Sequence, residues 1–459
     1  MVATRQSRVE VDGGPPLAAA LHIAAAAWEQ MRGGTALGRA LEIAATTQRA
    51  PRHPRTLAAA QDIAYTATRN LALLDALVAR LADRAPRPPV AALLAVSLAQ
   101  LIDKRHASYA VVDQAVTAAR GDRRTAAAAG FINAALRGFL RDEADMLAHA
   151  RRDDVVRFNA PRWWFERLRK EFPEHWRSVL ATQAEPPPLV VRVNTRRVST
   201  PAYLQRLEED NLEAVRVGEH AVWLRRPRPV DQIPGFLEGE ISVQDAGSQL
   251  GAQWLDVQPG QRVLDACAAP GGKTGHLAEI TDAQIDAVEI DPQRAARIDS
   301  NLARLGFTDR ARIRVLVGDA SKPTTWPARP AYERILIDAP CTASGIVRRH
   351  PDIPWLRRPQ DVAQLATIQA RLLDALWPLL APTGRLLYIV CSLFREEGSE
   401  QTARFLERWA DARALDLPGQ RAGSVQLLPT PLAQAGPWPG GASTPSVHDG
   451  FFYALFEKR

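Results

Sequence analysis

Cysteine and lysine are scarce in this 459-residue chain, and it has no long apolar run. Its three cysteines, Cys267, Cys341 and Cys391, form neither a CxxC pair nor a disulfide framework. We therefore expect reduced thiols in a cytoplasmic protein, and no metal site. No segment approaches the roughly 20 strongly apolar residues that cross a bilayer, so no membrane partner is expected. Only five of the 58 basic residues are lysine, so Lys273, inside a glycine-rich turn, stands out.

The rest of the composition is typical of a globular protein with a polyanionic partner. The length exceeds what one hydrophobic core usually organises, and 46% of the residues are hydrophobic and 24% charged. A net charge of +7 and a pI near 9.6 suit RNA, because basic side chains that neutralise phosphates release counterions. We expect a monomer of two or three domains that binds RNA.

The hydrophobic pattern changes twice along the chain and predicts three domains. Residues 1–150 show helical periodicity interrupted by proline-rich breaks, which predicts an all-α bundle. Residues 151–240 predict a small α+β module. Residues 241–459 alternate strands with helices, which predicts an α/β, Rossmann-like domain with a parallel sheet. Within that domain, residues 411–447 are rich in proline, glycine and alanine and predict a long loop before a final strand.

Basic and aromatic residues alternate between Arg151 and Lys170. Aromatic rings stack on unpaired bases while arginine contacts phosphates, so this composition suits a platform for single-stranded RNA. Trp163 and Trp164 fit a second interpretation equally well, as core residues that tie two domains together.

A tight glycine turn follows the first strand of the α/β domain. Gly271 and Gly272 permit close approach of the backbone to a ligand, and the helix that follows offers free N–H groups. Glu289, Asp319 and Asp338 then end the next three strands, where carboxylates suit ribose hydroxyls, an adenine amino group and the reacting centre. Any one of them alone fits a strand-end cap. Together, the four strand ends favour S-adenosylmethionine over a generic nucleotide.

Cys341 and Cys391 end apolar, strand-like runs fifty positions apart. Carbon 5 of cytosine is too electron-poor to accept a methyl group directly. A thiolate must first add to carbon 6, and a second acid/base group must clear the adduct. The pair therefore points to chemistry on a pyrimidine ring. Burial as small apolar residues is the alternative interpretation. Arg348, Arg349 and His350 fit either a positive pocket edge that grips RNA or a solvated loop.

These motifs resemble the bacterial RNA (cytosine-5) methyltransferases of the Sun/Fmu group. The resemblance lies in residues 265–274, 337–352, 391–392 and 449–453, and it extends to 159–163, 192–194 and 244–248. It covers nearly the whole chain. It implies a NusB-like helical RNA-binding domain over 1–150, a linking module over 151–240 and a methyltransferase domain over 241–459.

The resemblance also implies a role for each site residue. Cys391 would be the nucleophile, Cys341 would assist breakdown of the adduct, and Asp338 would hydrogen-bond the ring. Two positions depart from the family pattern: Val390 stands where threonine is usual, and Glu289 where aspartate is common. S-adenosylmethionine would be held by Cys267, Ala268, Ala269, Pro270, Gly271, Gly272, Lys273, Glu289, Asp319 and Asp338.

Other functions remain open on the sequence alone. In a DNA methyltransferase the Pro-Cys cysteine, Cys341, would be the nucleophile. An enzyme that methylates exocyclic amines needs no cysteine and typically has Asp/Asn-Pro-Pro-Tyr where this chain has Asp338-Ala339-Pro340-Cys341. A non-catalytic RNA-binding factor would need only the NusB-like part. The resemblance makes a cytosine of 16S rRNA the leading target, with tRNA and 23S rRNA as alternatives.

Overall fold

The computed structural model describes residues 17–47, 53–329, 331–419 and 423–459, which form two compact units. One unit takes in the described residues up to Phe165 together with His350–Leu356. The other comprises Glu166–Arg349 and Arg357–Arg459. Within the described part of the chain, no helix combines the length and apolarity needed to cross a membrane.

The first unit is the predicted all-α bundle. Its helices are α1 (Leu17–Arg32), α2 (Leu37–Thr47), α3 (Pro54–Thr68), α4 (Leu71–Leu81), α5 (Pro88–Asp103), α6 (Ser108–Gly121), α7 (Ala129–Ala150) and α8 (Asp154–Phe158). The alanine-rich α1 buries ten of its 16 residues, and α2, α3, α5 and α6 pack against it. Short side chains allow this close packing on several sides of one helix.

Proline begins two of these helices, as the proline-rich breaks in the sequence predict. Pro54 starts α3, and Pro88 and Pro89 start α5, where the missing N–H of proline costs no helical hydrogen bond. The segment His350–Leu356, from the C-terminal half of the chain, belongs to this unit. Its Asp352 Oδ2 accepts a hydrogen bond from Leu37 N at 2.9 Å, and Trp355 packs against the bundle core.

The basic and aromatic stretch lies mainly in α9 (Arg162–Glu171). Trp164 is fully buried, so it lies in a core and not on a stacking surface. Trp163 is half-buried, and Arg169 and Lys170 are exposed. The stretch therefore contributes both to a core and to a basic surface.

The second unit contains a small antiparallel sheet, as predicted for this part of the chain. After α10 (Trp176–Ala184) come β1 (Leu189–Val193), α11 (Thr200–Glu209), β2 (Ala214–Arg216), β3 (Ala221–Leu224) and β4 (Ile241–Val243). The strand order is β2-β3-β1-β4, and α11 packs on β2 and β3.

A larger sheet forms the centre of the second unit. The strands of this sheet and the helices between them are, in chain order, α12 (Ala246–Trp254), β5 (Arg262–Ala266), α13 (Gly272–Ile280), β6 (Gln284–Glu289), α14 (Pro292–Leu305), β7 (Ile313–Val317), β8 (Tyr332–Asp338), α15 (Ile353–Leu356), α16 (Pro359–Leu376), β9 (Leu380–Val390), α17 (Ser399–Arg408), β10 (Ala412–Leu415), β11 (Ser424–Leu427) and β12 (Phe451–Lys458). Helix α15 follows β8 in the chain but belongs to the helical unit. The order is β10-β12-β9-β8-β5-β6-β7, with β11 paired to β12. Strands β5 to β9 run parallel, so their carboxyl ends share one edge.

The prediction of one long loop over residues 411–447 is wrong in two places. Strands β10 and β11 both lie in this range and pair antiparallel with β12. Their short length and the surrounding proline and glycine hide the strand pattern, because the pairing partner comes 24 to 46 residues later in the chain. Residues 420–422 lie outside the described part.

Candidate active site

A cavity of about 470 Å³ opens at the carboxyl ends of the parallel strands. Residues predicted at five separate strand ends lie together in this cavity. Those that line it are Cys267, Ala269, Glu289, Asp319, Asp338, Cys341 and Cys391. The other predicted cofactor residues, Ala268, Pro270, Gly271, Gly272 and Lys273, belong to the turn and to α13 and do not line the cavity.

The glycine turn leaves β5 through two residues with left-handed backbone angles, Cys267 at φ 61° and Gly271 at φ 92°. A Cβ atom at Gly271 would lie 3.0 to 3.2 Å from Ile298 of α14, so glycine is needed both for the angle and for the close packing. Helix α14 also holds the turn, because Asn301 Nδ2 donates to Pro270 O at 2.8 Å.

Asp265 and Thr274 close the turn from inside. Thr274 Oγ1 donates to Asp265 Oδ2 at 2.6 Å. Burial raises the pKa of Asp265 to about 7, against a lowering by the Thr274 hydrogen bond. Among the described residues, Asp265 Oδ1 has no hydrogen-bond partner although it is buried. Asp265 is fully buried and does not line the cavity, so it supports the turn from behind.

The two acidic residues at the ends of β6 and just beyond β7 are held differently. Glu289 is almost fully buried and accepts hydrogen bonds from Ala269 N and Asp291 N at 3.3 and 3.2 Å. Asp319 is half-buried and accepts from Ser321 N and Oγ at 3.0 and 2.7 Å. Partial burial pushes the pKa of Asp319 upward, but the hydrogen bonds from Ser321 and Lys322 outweigh it and lower the pKa. Both carboxylates are placed to accept hydrogen bonds from a ligand.

Lys273 contacts Asp338 instead of lining the cavity. Its Nζ lies 2.7 Å from Asp338 Oδ2, and the lysine side chain is nearly buried. Burial lowers the pKa of Lys273, but the charge and hydrogen bond of Asp338 raise it by more. The net pKa is therefore raised, and the lysine stays charged. The lysine of the glycine turn thus fixes a carboxylate that lines the same cavity as the two cysteines.

The Sγ atoms of Cys341 and Cys391 lie 3.4 Å apart. The hydrogen bond to Cys391 and burial raise the pKa of Cys341 well above its ordinary value. Burial raises the pKa of Cys267 to about 12. At neutral pH, Cys341 and Cys267 are therefore protonated thiols.

The prediction of an exposed edge, either in an RNA contact or in a solvated loop, is wrong for Arg348, whereas Arg349 is half-buried and His350 is exposed. Arg348 is fully buried, and both guanidinium groups form ion pairs with the buried Asp449. Arg349 also binds Asp245 at 2.8 Å. These charges are neutralised in a network that fastens the start of β12 to the loop after Cys341, because Asp449 comes two residues before β12.

The small antiparallel module reaches the glycine turn through a fully buried arginine. Arg192 of β1 donates to Gly272 O at 2.7 Å and forms two hydrogen bonds to Glu279 of α13, at 2.7 and 2.6 Å. Arg192 belongs to one of the motifs that carry the family resemblance, but the sequence predicts no contact between it and the turn. A second residue that sequence reasoning missed is Glu397, whose carboxylate accepts hydrogen bonds next to both cysteines. It lies six residues after Cys391 in a polar segment, with no local signal of burial.

This fold and site are those of a methyltransferase that uses S-adenosylmethionine. The sheet is parallel with one antiparallel strand inserted, a glycine turn follows its first strand, and acidic residues stand at the next strand ends. Residues 252–457 match the family model described as 16S rRNA methyltransferase RsmB/F. Residues 160–231 match the ferredoxin-like domain of RsmF/B-like methyltransferases, and residues 17–141 match the NusB family.

Full-length relatives agree with the family models. Ribosomal RNA small subunit methyltransferase B of Escherichia fergusonii is 39% identical over 85% of this chain and 88% of its own length. The chain belongs to the 16S rRNA methyltransferase RsmB/F family. The solved structure of the protein PH0851 is 25% identical, with a TM-score of 0.75 over 96% of this chain and 99% of that protein. A methyltransferase homolog from Pyrococcus horikoshii is 27% identical, with a TM-score of 0.54 over 66% and 97% of the two chains.

These findings confirm the predicted fold class, the family and the cofactor. The NusB-like bundle, the small linking module and the methyltransferase domain occur in the predicted order. The exact boundaries at residues 150 and 240, and the role of each site residue, stay predictions.

Proposed function

We propose that the protein methylates carbon 5 of a cytosine in 16S rRNA through a covalent bond between Cys391 and carbon 6 of the ring. The observation that carries this proposal is the 3.4 Å separation of the Cys341 and Cys391 sulfur atoms beside Asp338 in one cavity. Methylation of an exocyclic amine or of an oxygen needs neither thiol. Two thiols at one strand-end cavity suit a reaction in which one adds to the substrate and the other assists its release.

The environment of the two thiols supports Cys391 as the nucleophile. The thiolate is the reactive form of cysteine, and the pKa of Cys341 is raised well above its ordinary value. Cys341 therefore carries a proton that it can share with its neighbour. Cys391 is less buried than Cys341 and lines the same cavity.

The steps follow from these positions. Cys391 sulfur bonds to carbon 6, and the electron pair of the C5–C6 double bond moves to carbon 5. Asp338, held by Lys273, accepts a hydrogen bond from the ring and favours its protonated form, which takes up the negative charge that the addition creates. Carbon 5 would then take the methyl group as the bond from that group to the sulfonium sulfur breaks and leaves a neutral thioether, and carbon 5 would lose its hydrogen as a proton to water. The electron pair of that C–H bond restores the C5–C6 double bond, and the S–C6 bond breaks to return the Cys391 thiolate. Cys341 assists this last step.

S-adenosylmethionine, when bound, supplies an electrophilic methyl group on a sulfonium centre. Glu289 and Asp319 would accept hydrogen bonds from its adenosine part, and residues 267–273 would form the turn beside it. The acidic lining of the cavity fits such a donor-rich ligand.

The RNA substrate is supported by the domains that accompany the methyltransferase domain. The NusB match, the exposed basic residues of α9 and the net charge of +7 suit RNA. A base within structured RNA must be unstacked at a cost of a few kcal/mol, which contacts to the RNA backbone offset. We further propose that the protein acts as a monomer in the cytoplasm.

The test is methylation of purified RNA with a donor that carries a labelled methyl group. We expect label in 5-methylcytidine of unmodified 16S rRNA after nuclease digestion, at a single position. Incorporation into tRNA or 23S rRNA alone would move the substrate to those RNAs. Label in a nucleoside other than 5-methylcytidine would contradict the proposed chemistry.

A further inference from the structure

Glu397 is a fully buried carboxylate between the two cysteine-bearing turns. Its Oε1 accepts hydrogen bonds from Thr342 N at 2.9 Å and Gln369 Nε2 at 3.0 Å. Its Oε2 accepts from the hydroxyl groups of Thr342 and Ser392. Four donors thus converge on one side chain, which is the full capacity that a carboxylate usually uses in a protein interior.

These donors lie one residue from each thiol. Thr342 follows Cys341 and Ser392 follows Cys391, so a single carboxylate joins the two turns immediately beyond the sulfur atoms. Gln369 extends the contact, because the same Nε2 also donates to Pro340 O, on the other side of Cys341, at 2.9 Å.

Glu397 is itself fixed from two directions. Tyr388 OH donates to Glu397 O at 2.6 Å, which ties it to β9, and Glu397 N donates to Phe394 O at 3.1 Å. Ser344 adds a parallel link, since its Oγ accepts from Leu393 N at 2.7 Å. A hydrogen-bonded frame that surrounds one carboxylate therefore connects the two cysteine-bearing turns.

We propose that Glu397 is a positioning residue that sets the distance and orientation of the Cys341 and Cys391 thiols. It does not line the cavity, so it acts through Thr342 and Ser392 and not on the substrate. The inference rests on the proposed function for its catalytic meaning. The thiol geometry itself can be measured without RNA or cofactor.

The choice of variants follows from the hydrogen bonds. In Glu397→Gln the amide oxygen can still accept from Thr342 N and Gln369, and the amide nitrogen can donate to the two hydroxyls if these rotate. In Glu397→Ala all four donors lose the carboxylate, and Gln369 Nε2 keeps only Pro340 O. Glu397→Gln thus keeps the hydrogen bonding but loses the negative charge, whereas Glu397→Ala loses both. The matched control is Glu396→Ala, because Glu396 is adjacent, partly exposed and paired with Arg167.

The readout of geometry is oxidation of the purified full-length protein by diamide. The Cys341 and Cys391 thiols give two electrons and two protons to the diazene, which becomes a hydrazine, and one S–S bond forms. Peptide mapping follows the rate at which these two peptides become linked. Labelling of Cys267 in the same samples reports general loosening of the fold, because this thiol lies in the glycine turn outside the Glu397 frame.

We expect Glu397→Ala to slow disulfide formation at least tenfold and to lower kcat about 100-fold, because a displacement near 1 Å can cost that much. Glu397→Gln should regain most of both rates, and Glu396→Ala should match the wild type. A wild-type disulfide rate in Glu397→Ala would overturn the proposal. So would Glu397→Gln with the defects of Glu397→Ala, since the charge would then be what matters. If methylation is absent in the wild type but the oxidation rates behave as expected, the proposed function fails and the positioning role stands.

Discussion

Arg192 and Glu279 form a buried ion pair that joins the small antiparallel module to the helix behind the cofactor turn, with Nη2 2.6 Å from Oε1. Neither side chain is more than 1% exposed. The same guanidinium donates to Gly272 O, so the module takes part in shaping the turn. The antiparallel sheet is therefore a structural support of the candidate cofactor site as well as a link in the chain.

Replacement of Arg192 by leucine should destabilise the second unit and weaken cofactor binding together. Loss of one partner leaves the Glu279 carboxylate buried without a counter-charge, which typically costs about 3–5 kcal/mol. Chemical denaturation measures the stability, and calorimetry measures the affinity for S-adenosylmethionine. Arg310→Ala is the control, because its pair with Asp299 is exposed and should contribute less than about 1 kcal/mol. Equal effects of the two substitutions would contradict the structural role of Arg192.

The two cysteines should give opposite results when each is replaced by alanine. Cys391→Ala should abolish methyl transfer, because no thiol remains to add to carbon 6. Cys341→Ala should leave protein covalently bound to RNA, because breakdown of the adduct is impaired. A denaturing gel with labelled RNA shows the adduct as a shifted band, and the double variant should show none. A shifted band with Cys391→Ala and not with Cys341→Ala would assign the nucleophile to Cys341.

Glu289 and Asp319 should affect the cofactor and not the RNA. Glu289→Gln and Asp319→Asn each weaken acceptors for hydrogen bonds from the ligand, and such bonds to charged groups contribute about 1.5–3 kcal/mol. We expect the Kd for S-adenosylmethionine to rise about 10- to 100-fold, while RNA binding in a filter assay stays unchanged. The exposed Asp282 provides a control through Asp282→Asn. Unchanged cofactor affinity in both variants would remove these residues from the site.

Much of the site can be predicted from sequence because it lies at strand ends. Parallel strands place their carboxyl ends at one edge, so Glu289, Asp319 and Asp338 come together once the alternating pattern is recognised. The contacts of Arg348 and Glu397 follow no such rule. Arg348 is hydrogen-bonded to Asp449, which is 101 positions away in the sequence. Glu397 is hydrogen-bonded to Thr342, which is 55 positions away. Long-range pairing of buried charges depends on tertiary packing, which periodicity along the chain does not report.

For the same reason, the sequence predicts only part of the helical unit. Its helices follow from spacing and proline positions, but the membership of His350–Leu356 does not, since that segment is separated from the bundle by almost 200 residues of other structure. Asp352 is polar and lies next to a proline, which favours a loop. Only the structure shows that its carboxylate accepts the Leu37 N–H.

Asp265 predicts a specific pH dependence of stability. Burial raises its pKa from 3.8 to about 7 in the folded protein, so between these values the folded state holds a proton that the unfolded state has lost. Stability from this group is therefore fully present below about pH 4 and is lost as the pH rises to about 7, with a slope of up to ~1.4 kcal/mol per pH unit. Asp265→Asn keeps an acceptor for Thr274 Oγ1 but cannot ionise. Denaturation midpoints of both proteins between pH 5 and 8 measure the difference, and the variant should gain relative to the wild type as the pH rises. A constant difference over this range would show that the Asp265 pKa is not raised, and the turn would then carry an ionised carboxylate at the pH of the reaction.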